Sequence, residues 1–414
     1  MITSIRLVNF KNFADETLRV GPFTVIVGAN ASGKSNIRDA FRFLHGIGRG
    51  YTLAEIIGGK YGPGGQREWE PIRGATNEII RFGQSSFTLE IGLKLNGEAV
   101  YYSIEIGQGW TGSGGFQVTS EEMKVGPMTM YSASQDSYET LWVNSVKGYP
   151  EMQKFRLDST QPALTQYFPL DNKGTHLFND QIFSDLRSVL SNLRFWDLMP
   201  MHIREPSVPG ATMLGDSGEN LPIVLQQICA DPKRQEILAS WVHELTPMDV
   251  QRFEFPPDPS GRVHLMLCDG DDRKVSAYSA SDGTLRFLAM LAALLGKNPE
   301  GLYFFEEIDT GIHPTRLHLL MDLIERQTEK QGIQVVTTTH APTLLTVMND
   351  QTFENTSVVC RLEDSSDAII RPVAELPNVR ELRQGQGLGR LHESGWMENA
   401  LYFTEDYDEV EDNS

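Results

Sequence analysis

The residues best suited to chemistry lie in one short segment, Gly28 to Ser35, which reads GANASGKS. The segment fits the pattern G-x-x-x-x-G-K-[ST], between an apolar run (Phe23 to Val27) and residues with helical spacing. Glycine-rich backbone of this kind wraps a phosphate group at a helix N-terminus. Lys34 would then reach the β- and γ-phosphates and the Ser35 hydroxyl would bind Mg²⁺. The segment therefore predicts a nucleoside triphosphate site.

A second chemical element is a short apolar run, Leu302 to Phe305, that ends on Glu306 and Glu307. Ligands of open α/β sheets bind at the carboxyl ends of the strands, which is where these acids would lie. One carboxylate would complete a Mg²⁺ shell and the other would polarise the attacking water. Taken alone, a strand that ends in two acids is more often a solvated strand end. Because the phosphate loop is also present, the sequence favours a hydrolytic site over a solvated strand end.

The two elements are separated by 272 positions, from Lys34 to Glu306, so a large insertion must divide the nucleotide domain. Two further segments flank the acidic run in the sequence. Ser279 to Thr284 opens a helix before it, and Thr337 to His340 ends the next strand after it. Together they resemble the ABC-type ATPases of the RecF/SMC group, closest in kind to the ATPase part of OLD-family nucleases. The resemblance covers roughly residues 1–50 and 275–350.

The resemblance implies ATP and Mg²⁺ as cofactors and a role for each matched residue. Glu307 and His340 would be catalytic, Glu306 and Ser35 would bind the metal, and Glu306 replaces the commoner Asp. A signature formed by Ser281, Asp282 and Gly283 would act in trans, and the segment from Asp309 to His313 matches the D-loop. The ATP-binding set would be Lys11, Gly28, Asn30, Gly33, Lys34, Ser35 and Asn36.

Each of these matches has an alternative interpretation. Ser281 is a good helix N-cap in any fold, His340 could be a satisfied histidine at a strand end, and Lys11 could be a solvated lysine. The order and spacing of the set favour the functional interpretation. Gln66 and Gln84 both lie where a metal-binding glutamine is expected, and the sequence does not choose between them.

Hydrophobic periodicity predicts an α/β fold with an antiparallel subsheet. The resemblance implies that this fold is an ABC-type P-loop head with a mixed sheet, helices on both faces and a globular insertion. Two N-terminal strands are expected, separated by a break at FKNFADE, and then a glycine-rich loop over residues 46–75. Alternating residues up to about 150 predict the antiparallel subsheet, and a strand pair should precede a buried helix near 282. The Pro/Gly-rich stretch 205–220 fits a linker or a loop over a site. The expected units are 1–120 (N-terminal head), 121–265 (insertion), 266–376 (C-terminal head) and 377–414 (extension with an acidic tail).

Composition limits the functional classes. The 414 residues include 36 basic and 55 acidic ones, for a net charge of −19, with 40% hydrophobic residues, so wholesale disorder is unexpected. Neither a membrane span nor a signal peptide is recognisable, and three separated cysteines fit a reducing compartment, so a cytoplasmic protein is expected. The acidity argues against a surface that coats nucleic acid, although a local basic patch remains possible.

The preferred hypothesis is a homodimer, or a higher even oligomer, that closes around two ATP molecules and regulates a separately encoded effector. The effector would be a nuclease or toxin in bacterial anti-phage defence. Only 74 residues follow His340, too few for a Toprim domain, and neither Asp269, Asp271 and Asp272 nor the acids of 405–412 predict a nuclease site. One alternative is a RecF-like repair ATPase that clamps DNA through scattered basic residues: Arg38, Arg42, Arg49, Lys233 and Arg234. Another is a structural module that binds nucleotide without hydrolysis.

Overall fold

The computed structural model describes residues 1–74, 78–109, 115–136, 140–146, 155–166, 181–245, 249–296, 301–361 and 366–401. The strands are β1 (Ile2–Phe10), β2 (Phe13–Arg19), β3 (Phe23–Val27), β4 (Lys60–Tyr61), β5 (Arg67–Trp69), β6 (Ser86–Leu95), β7 (Glu98–Gln108), β8 (Phe116–Val125), β9 (Met128–Gln135), β10 (Leu141–Val146), β11 (Phe155–Leu157), β12 (Arg194–Trp196), β13 (Val250–Glu254), β14 (Met266–Asp269), β15 (Lys274–Ser276), β16 (Leu302–Phe305), β17 (Gln334–Thr339), β18 (Thr356–Arg361) and β19 (Ala368–Pro372). The helices are α1 (Lys34–Gly48), α2 (Leu53–Gly58), α3 (Gln181–Ser191), α4 (Pro200–Ile203), α5 (Leu221–Cys229), α6 (Pro232–Leu245), α7 (Asp282–Leu294), α8 (Leu317–Gln331), α9 (Pro342–Val347), α10 (Asp350–Glu354), α11 (Val379–Gln386) and α12 (Leu388–Glu393).

Two large sheets organise the fold. One is antiparallel, in the order β11-β10-β9-β8-β7-β6-β1-β2. The other runs β12-β16-β17-β3-β18-β19, with parallel pairs from β12 to β18 and β19 antiparallel to β18. Because β3, β16 and β17 are parallel neighbours, their carboxyl ends meet at one edge of the sheet. The mixed α/β fold of an ABC-type head is thus present, and its ligand edge carries the residues that follow these three strands.

The parallel sheet separates two apolar cores, because successive strand residues point to opposite faces. In β16, Leu302 and Phe304 belong to the core that contains α1, whereas Tyr303 and Phe305 belong to the core that contains α7 and α8. Phe304 packs against Phe41 of α1 with ring centroids 5.9 Å apart. Helices therefore cover both faces of the sheet and fix the strand ends that form the site.

The predicted break at FKNFADE is confirmed only as a turn at Lys11 and Asn12, and the N-terminus forms three strands rather than the predicted two. Residues 13–19 form β2, which pairs with β1 across a tight turn. The Asp15 carboxylate forms an ion pair with Arg6 of β1 at 2.6 Å, and the buried Glu16 carboxylate accepts the Ile370 N–H at 2.9 Å. The acids that favoured a loop in the sequence therefore stabilise a strand.

The glycine-rich segment 46–75 is also more ordered than predicted. Helix α2 begins after Thr52, whose hydroxyl accepts the Glu55 N–H at 3.2 Å while the Glu55 carboxylate accepts the Thr52 N–H at 2.9 Å. This capping box stabilises the first turn, and three buried residues (Leu53, Ile56 and Ile57) attach the helix to the core. Strands β4 and β5 follow as a short hairpin.

Other predicted elements are confirmed, with changes at their ends. The antiparallel subsheet spans β6 to β10, the buried helix is α7, and the two core strands are β16 and β17. The strand pair expected before α7 is a three-stranded sheet, β13-β14-β15. The expected boundary at 120/121 falls inside β8, so the four-part division remains a proposal. In the described part of the chain, no helix combines the length and apolar composition required for a membrane span.

Candidate functional site

The phosphate loop lies between β3 and α1, as the sequence predicts. Gly33 caps the helix with φ 119°, a left-handed conformation that favours glycine. The Lys34 ammonium donates hydrogen bonds to the carbonyls of Gly28 and Ala29, each at 2.6 Å. Lys34 is buried, and this burial lowers the pKa of its ammonium. The lysine is therefore already held inside the loop, where an entering phosphate would take over its hydrogen bonds.

A cavity of about 380 Å³ opens at this edge of the sheet. Phosphate-loop residues and the two strand-end acids line the same space. The predicted residues in its wall are Asn30, Gly33, Lys34, Ser35, Asn36, Glu306 and Glu307. The structure thus brings together the loop and the acidic strand, which are 272 positions apart from Lys34 to Glu306.

Glu306 follows the last residue of β16 and is held by two arginines. Arg73 Nη2 lies 2.7 Å from Glu306 Oε1, and Arg38 Nε lies 3.8 Å from Oε2. Arg73 Nε is also 3.6 Å from a carboxylate oxygen of Asp39. A carboxylate and the Ser35 hydroxyl in one cavity are the oxygen ligands that Mg²⁺ prefers, so the donor set fits this metal. In the structure the charge of Glu306 is balanced by guanidinium groups.

Glu307 has a strained backbone, with φ 50° at a residue that is not glycine. Its N–H donates to the Thr338 hydroxyl at 3.2 Å, and its Oε2 accepts the Thr310 hydroxyl at 3.2 Å. His340 Nδ1 is 3.6 Å from Glu307 Oε1, and both side chains are about half exposed. Strain of this kind persists where surrounding contacts hold the residue in place. Here those contacts hold the Glu307 carboxylate at the cavity wall. Glu307 and His340 therefore form a pair at the ends of adjacent strands.

The signature residues lie outside this cavity. Ser281 caps α7, with its hydroxyl accepting the Thr284 N–H at 3.2 Å, and it is exposed together with Asp282. Asp282 is 2.6 Å from Arg204. A Cβ at Gly283 would collide with the backbone carbonyl of Gly311, so the start of α7 touches the segment after Glu307 directly. The N-cap interpretation of Ser281 is correct in this structure, and it leaves the exposed face of the cap open to a second molecule.

Other predicted residues have different surroundings. Lys11 is not among the cavity residues, since its ammonium lies 2.5 Å from an Asp39 oxygen and donates to the Arg73 carbonyl at 2.8 Å. Lys11, for which a solvated side chain was the alternative interpretation, therefore belongs to a buried ion pair behind the site. Gly28 contributes its carbonyl to Lys34 and does not itself line the cavity, and neither do Gln66 and Gln84.

Sequence reasoning missed several residues of the site. Arg73 follows the short hairpin β4-β5, and Arg286 is on α7, just after the signature. Trp196 and Asp197 enter the cavity from the end of β12. Only the acidic residues at strand ends have a recognisable pattern, because a strand that stops on a charged residue marks the ligand edge. Arginines in irregular segments have no such pattern.

The C-terminal extension also reaches the site. Helix α12 packs against α9, the helix that follows His340. Nδ1 of His392 lies 3.9 Å from Oε1 of Glu398, and each side chain keeps one buried polar atom without a hydrogen bond among the described residues. Burial lowers the pKa of the His392 imidazole, and burial also lowers the pKa of Lys34 against the opposing charges of Glu307 and Glu398. Glu398 therefore adds a negative charge near the phosphate loop, next to an imidazole whose charged form is disfavoured by burial.

Two comparisons of sequence bear on the family. A family model described as "AAA domain, putative AbiEii toxin, Type IV TA system" matches residues 23–127 and 248–346, just under half of the chain. The first matched segment contains the phosphate loop, and the second contains the signature, both acids and His340. No curated protein matches the chain in sequence.

Solved structures of similar fold include three heads of SMC proteins. The "SMC head domain from Thermotoga maritima" has 14% identity and a TM-score of 0.43, covering 90% of this chain and 98% of that one. A SmcHead bound to the C-winged helix domain of ScpA has 14% identity and a TM-score of 0.48, over 89% and 97%. A Smc head domain bound to the C-terminal domain of ScpA, derived from Pyrococcus furiosus, has 13% identity and a TM-score of 0.47, over 92% and 99%.

The TM-scores of all three structures are below 0.5, and the assignment of a family therefore depends on the local site and the matched family model. A phosphate loop between β3 and α1, two acids at the end of β16 and the matched family model all agree. The site and the two matched segments, residues 23–127 and 248–346, together support an ABC-type P-loop ATPase whose AAA domain is formed by two separate parts of the sequence.

Proposed function

We propose that this chain binds and hydrolyses ATP with Mg²⁺, and that two copies close head-to-head around two ATP molecules. The observation that carries the proposal is the cavity in which Lys34 and Ser35 lie with Glu306 and Glu307. Nucleotide hydrolysis needs a phosphate cradle, metal ligands and a carboxylate for water in one place. The exposed cap at Ser281 lies outside this cavity, so Ser281 of a second copy would complete the site.

Each residue then has a defined task. Lys34 would exchange its two loop carbonyls for phosphate oxygens, and the N-terminus of α1 would add its positive dipole. Ser35 and Glu306 would hold Mg²⁺, which neutralises phosphate charge when it is bound. Glu307 would accept a proton from the attacking water, and His340, 3.6 Å away, would orient it and contact the γ-phosphate.

We further propose that the closed dimer controls a separately encoded effector in anti-phage defence. The toxin–antitoxin description of the matched family supports this role. The RecF-like alternative requires a basic surface, and the burial of Arg38 and Arg42 removes two of its five candidate contacts from the surface. A third possibility, a structural module without turnover, predicts no phosphate release.

The decisive experiment is the replacement Glu307→Gln in the full chain. We expect ATP binding to persist and steady-state phosphate release to fall by roughly a hundredfold or more, since a general base contributes factors of this size. Light scattering after gel filtration should show a dimer that persists with ATP. The exposed Glu329→Gln on α8 is the matched control and should behave as the unaltered protein.

Two results would contradict the proposal. Hydrolysis at the unaltered rate in Glu307→Gln would remove Glu307 from catalysis. A monomer at saturating ATP would remove the head-to-head dimer. Separately, DNA binding that weakens steeply with salt would favour the clamp over the effector-control role.

A further inference from the structure

A second and larger cavity, of about 820 Å³, lies beside the nucleotide cavity. The two share Arg73, Asp197 and Glu306 in their walls. The second cavity runs along α1, between the β4-β5 hairpin and the 205–220 loop, which contributes Asp216, Ser217 and Glu219. We name it the arginine cavity after the cationic residues in its wall: Arg38, Arg42, Arg49, Arg67, Arg73 and Arg194.

Two of these arginines are buried without full hydrogen bonding. Arg38 and Arg42 lie one turn apart on α1 and are 7% and 8% exposed. The buried Nε of each has no hydrogen-bond partner among the described residues. Among the described residues, Arg42 donates from Nη2 to the Glu70 carbonyl at 3.1 Å, and Arg38 has Glu306 as an ionic partner at 3.8 Å.

Aromatic rings hold these guanidinium groups in place. Arg42 lies 4.9 Å from the Trp69 ring centroid and Arg38 lies 5.8 Å from that of Phe195. Both rings are buried, so they support the arginines and leave the guanidinium edges for another partner. Burial, followed by the charge of Arg38, lowers the pKa of the Arg42 guanidinium. Two neighbouring buried cations with unused donors are unfavourable unless an anion joins them.

Carboxylates also line the arginine cavity, but in the described structure they do not accept hydrogen bonds from the unused Nε donors of the two buried arginines. Their lining members are Glu68, Glu70, Asp197, Asp216, Glu219 and Glu306. Glu68, Glu70, Asp216 and Glu219 are exposed, so water screens their charge. The most deeply buried charges in this wall are therefore the positive charges of the two arginines.

We propose that the arginine cavity is a second ligand site, which binds a phosphate-bearing small molecule separately from the ATP site. The planar donor edge of arginine suits phosphate oxygens. The volume falls in the range of small-molecule sites, about 300–1,000 Å³. The net charge of −19 opposes long nucleic acid, which favours a small anion.

Occupancy of this site would act on the nucleotide cavity, a step that rests on the proposed ATPase function. Arg73 and Arg38 both contact the Glu306 carboxylate, which is the expected metal ligand. An anion in the arginine cavity draws these guanidinium groups towards itself. Glu306 then becomes more available to Mg²⁺, so the second ligand promotes assembly of the nucleotide site.

The test is titration calorimetry of the full chain with inorganic pyrophosphate, in the absence of divalent metal. The unaltered protein should show two classes of site, Lys34→Ala should retain the one in the arginine cavity, and Arg42→Gln should weaken that class by roughly ten- to a hundredfold. Arg326→Gln is the matched control, because this exposed helical arginine pairs only with the nearby Asp322 in the described structure. Pyrophosphate binding that is the same in Arg42→Gln as in the unaltered chain overturns the proposal. If Arg42→Gln is misfolded by circular dichroism, Arg194→Gln replaces it and must weaken the same class.

Two further measurements define the ligand and the coupling. Arg42-dependent binding that is tighter for a 5′-phosphorylated oligonucleotide than for AMP would overturn the small-molecule assignment. Inorganic phosphate should lower the Mg²⁺ concentration needed to bind a fluorescent ATP analogue in the unaltered chain, and this shift should vanish in Arg42→Gln. An equal shift in both proteins would overturn the coupling. A chain that binds no nucleotide would end the proposed ATPase function, whereas the pyrophosphate titration would still report on the arginine cavity.

Discussion

Arg73 holds the carboxylate of Glu306, with Nη2 2.7 Å from Oε1, at the position where a metal ligand is expected. The two residues are far apart in sequence, and their contact joins the segment after the β4-β5 hairpin to the end of β16. An ion pair at this position competes with metal binding. The nucleotide cavity is therefore held in a charge-balanced form by the protein itself.

Replacement of Arg73 should therefore change the metal requirement. In Arg73→Gln, Glu306 loses its closest cationic partner, and we expect the Mg²⁺ concentration for half-maximal binding of a fluorescent ATP analogue to fall by roughly two- to fivefold, the range of a partly exposed ion pair. Arg326→Gln, which removes an exposed arginine of α8 outside both cavities, is the control. An unchanged or higher metal requirement in Arg73→Gln would show that the pair does not compete with Mg²⁺.

Contact between Gly283 and Gly311 predicts a strong effect of one methyl group. In Gly283→Ala the new Cβ would meet the Gly311 carbonyl, so the start of α7 must move. We expect the free energy of unfolding to fall by about 1–3 kcal/mol, as for other overpacked sites, and ATP-dependent dimerisation to be lost. Denaturant unfolding and light scattering measure the two effects. Gly385→Ala, in α11 with open space around it, should leave both nearly unchanged, and equal behaviour of the two variants would refute the argument.

His45 predicts a stability that falls at mildly acidic pH. Burial lowers the pKa of this imidazole to about 4, although its Nδ1 lies 2.9 Å from the Leu190 carbonyl. The unfolded chain binds a proton near pH 6.5 and the folded chain only near 4, so acidification through this window favours unfolding. The expected loss from this group is about 2 kcal/mol between about pH 7 and pH 5.

The measurement for His45 is the free energy of unfolding at both pH values in His45→Gln and in the unaltered chain. His45→Gln should be less sensitive to pH, whatever its stability at neutral pH. His243→Gln removes an exposed histidine and should keep the full dependence. Parallel pH curves for His45→Gln and the unaltered chain would show that His45 is not buried in its neutral form.

Glu398 predicts an effect of the C-terminal extension on nucleotide affinity. Burial lowers the pKa of Lys34, and the nearby Glu398 carboxylate partly opposes this shift, so this carboxylate also repels a phosphate bound by the lysine. We expect Glu398→Gln to tighten binding of an ATP analogue by roughly two- to fivefold at low salt, with a smaller effect at high salt. Glu393→Gln, an exposed acid of the same segment, is the control. Weaker binding in Glu398→Gln would instead assign this carboxylate a supporting role.

Sequence patterns predict the parts of the site that lie at strand ends. Lys34, Ser35, Glu306 and Glu307 could be placed together because parallel strands end at one sheet edge, whatever the length between them. Arg73 could not, because its position depends on tertiary contacts of an irregular segment. Glu16 was misinterpreted for a related reason: an acid in a strand is unexpected until its partner, the Ile370 N–H, is known.

The sequence also could not place the C-terminal residues of the site. His392 and Glu398 approach the phosphate loop only because α12 packs on α9, a contact between helices that no local pattern encodes. The acidic residues 405–412 lie outside the described residues, so the expectation that they form no nuclease site stays a prediction. The roles assigned to Ser281 and His340 also remain predictions, since they concern contacts with ATP and with a second copy.

The position of β3 has a consequence for how the chain folds during synthesis. Its two hydrogen-bonded neighbours, β17 and β18, begin at Gln334 and Thr356, whereas β3 ends at Val27. At about 5–20 residues per second, the ribosome needs roughly 15 to 60 s to deliver β17 after β3. The neighbouring strands of the antiparallel sheet, from β6 to β10, can pair much earlier through short turns. The phosphate loop is therefore among the first segments made and among the last to be fixed in place.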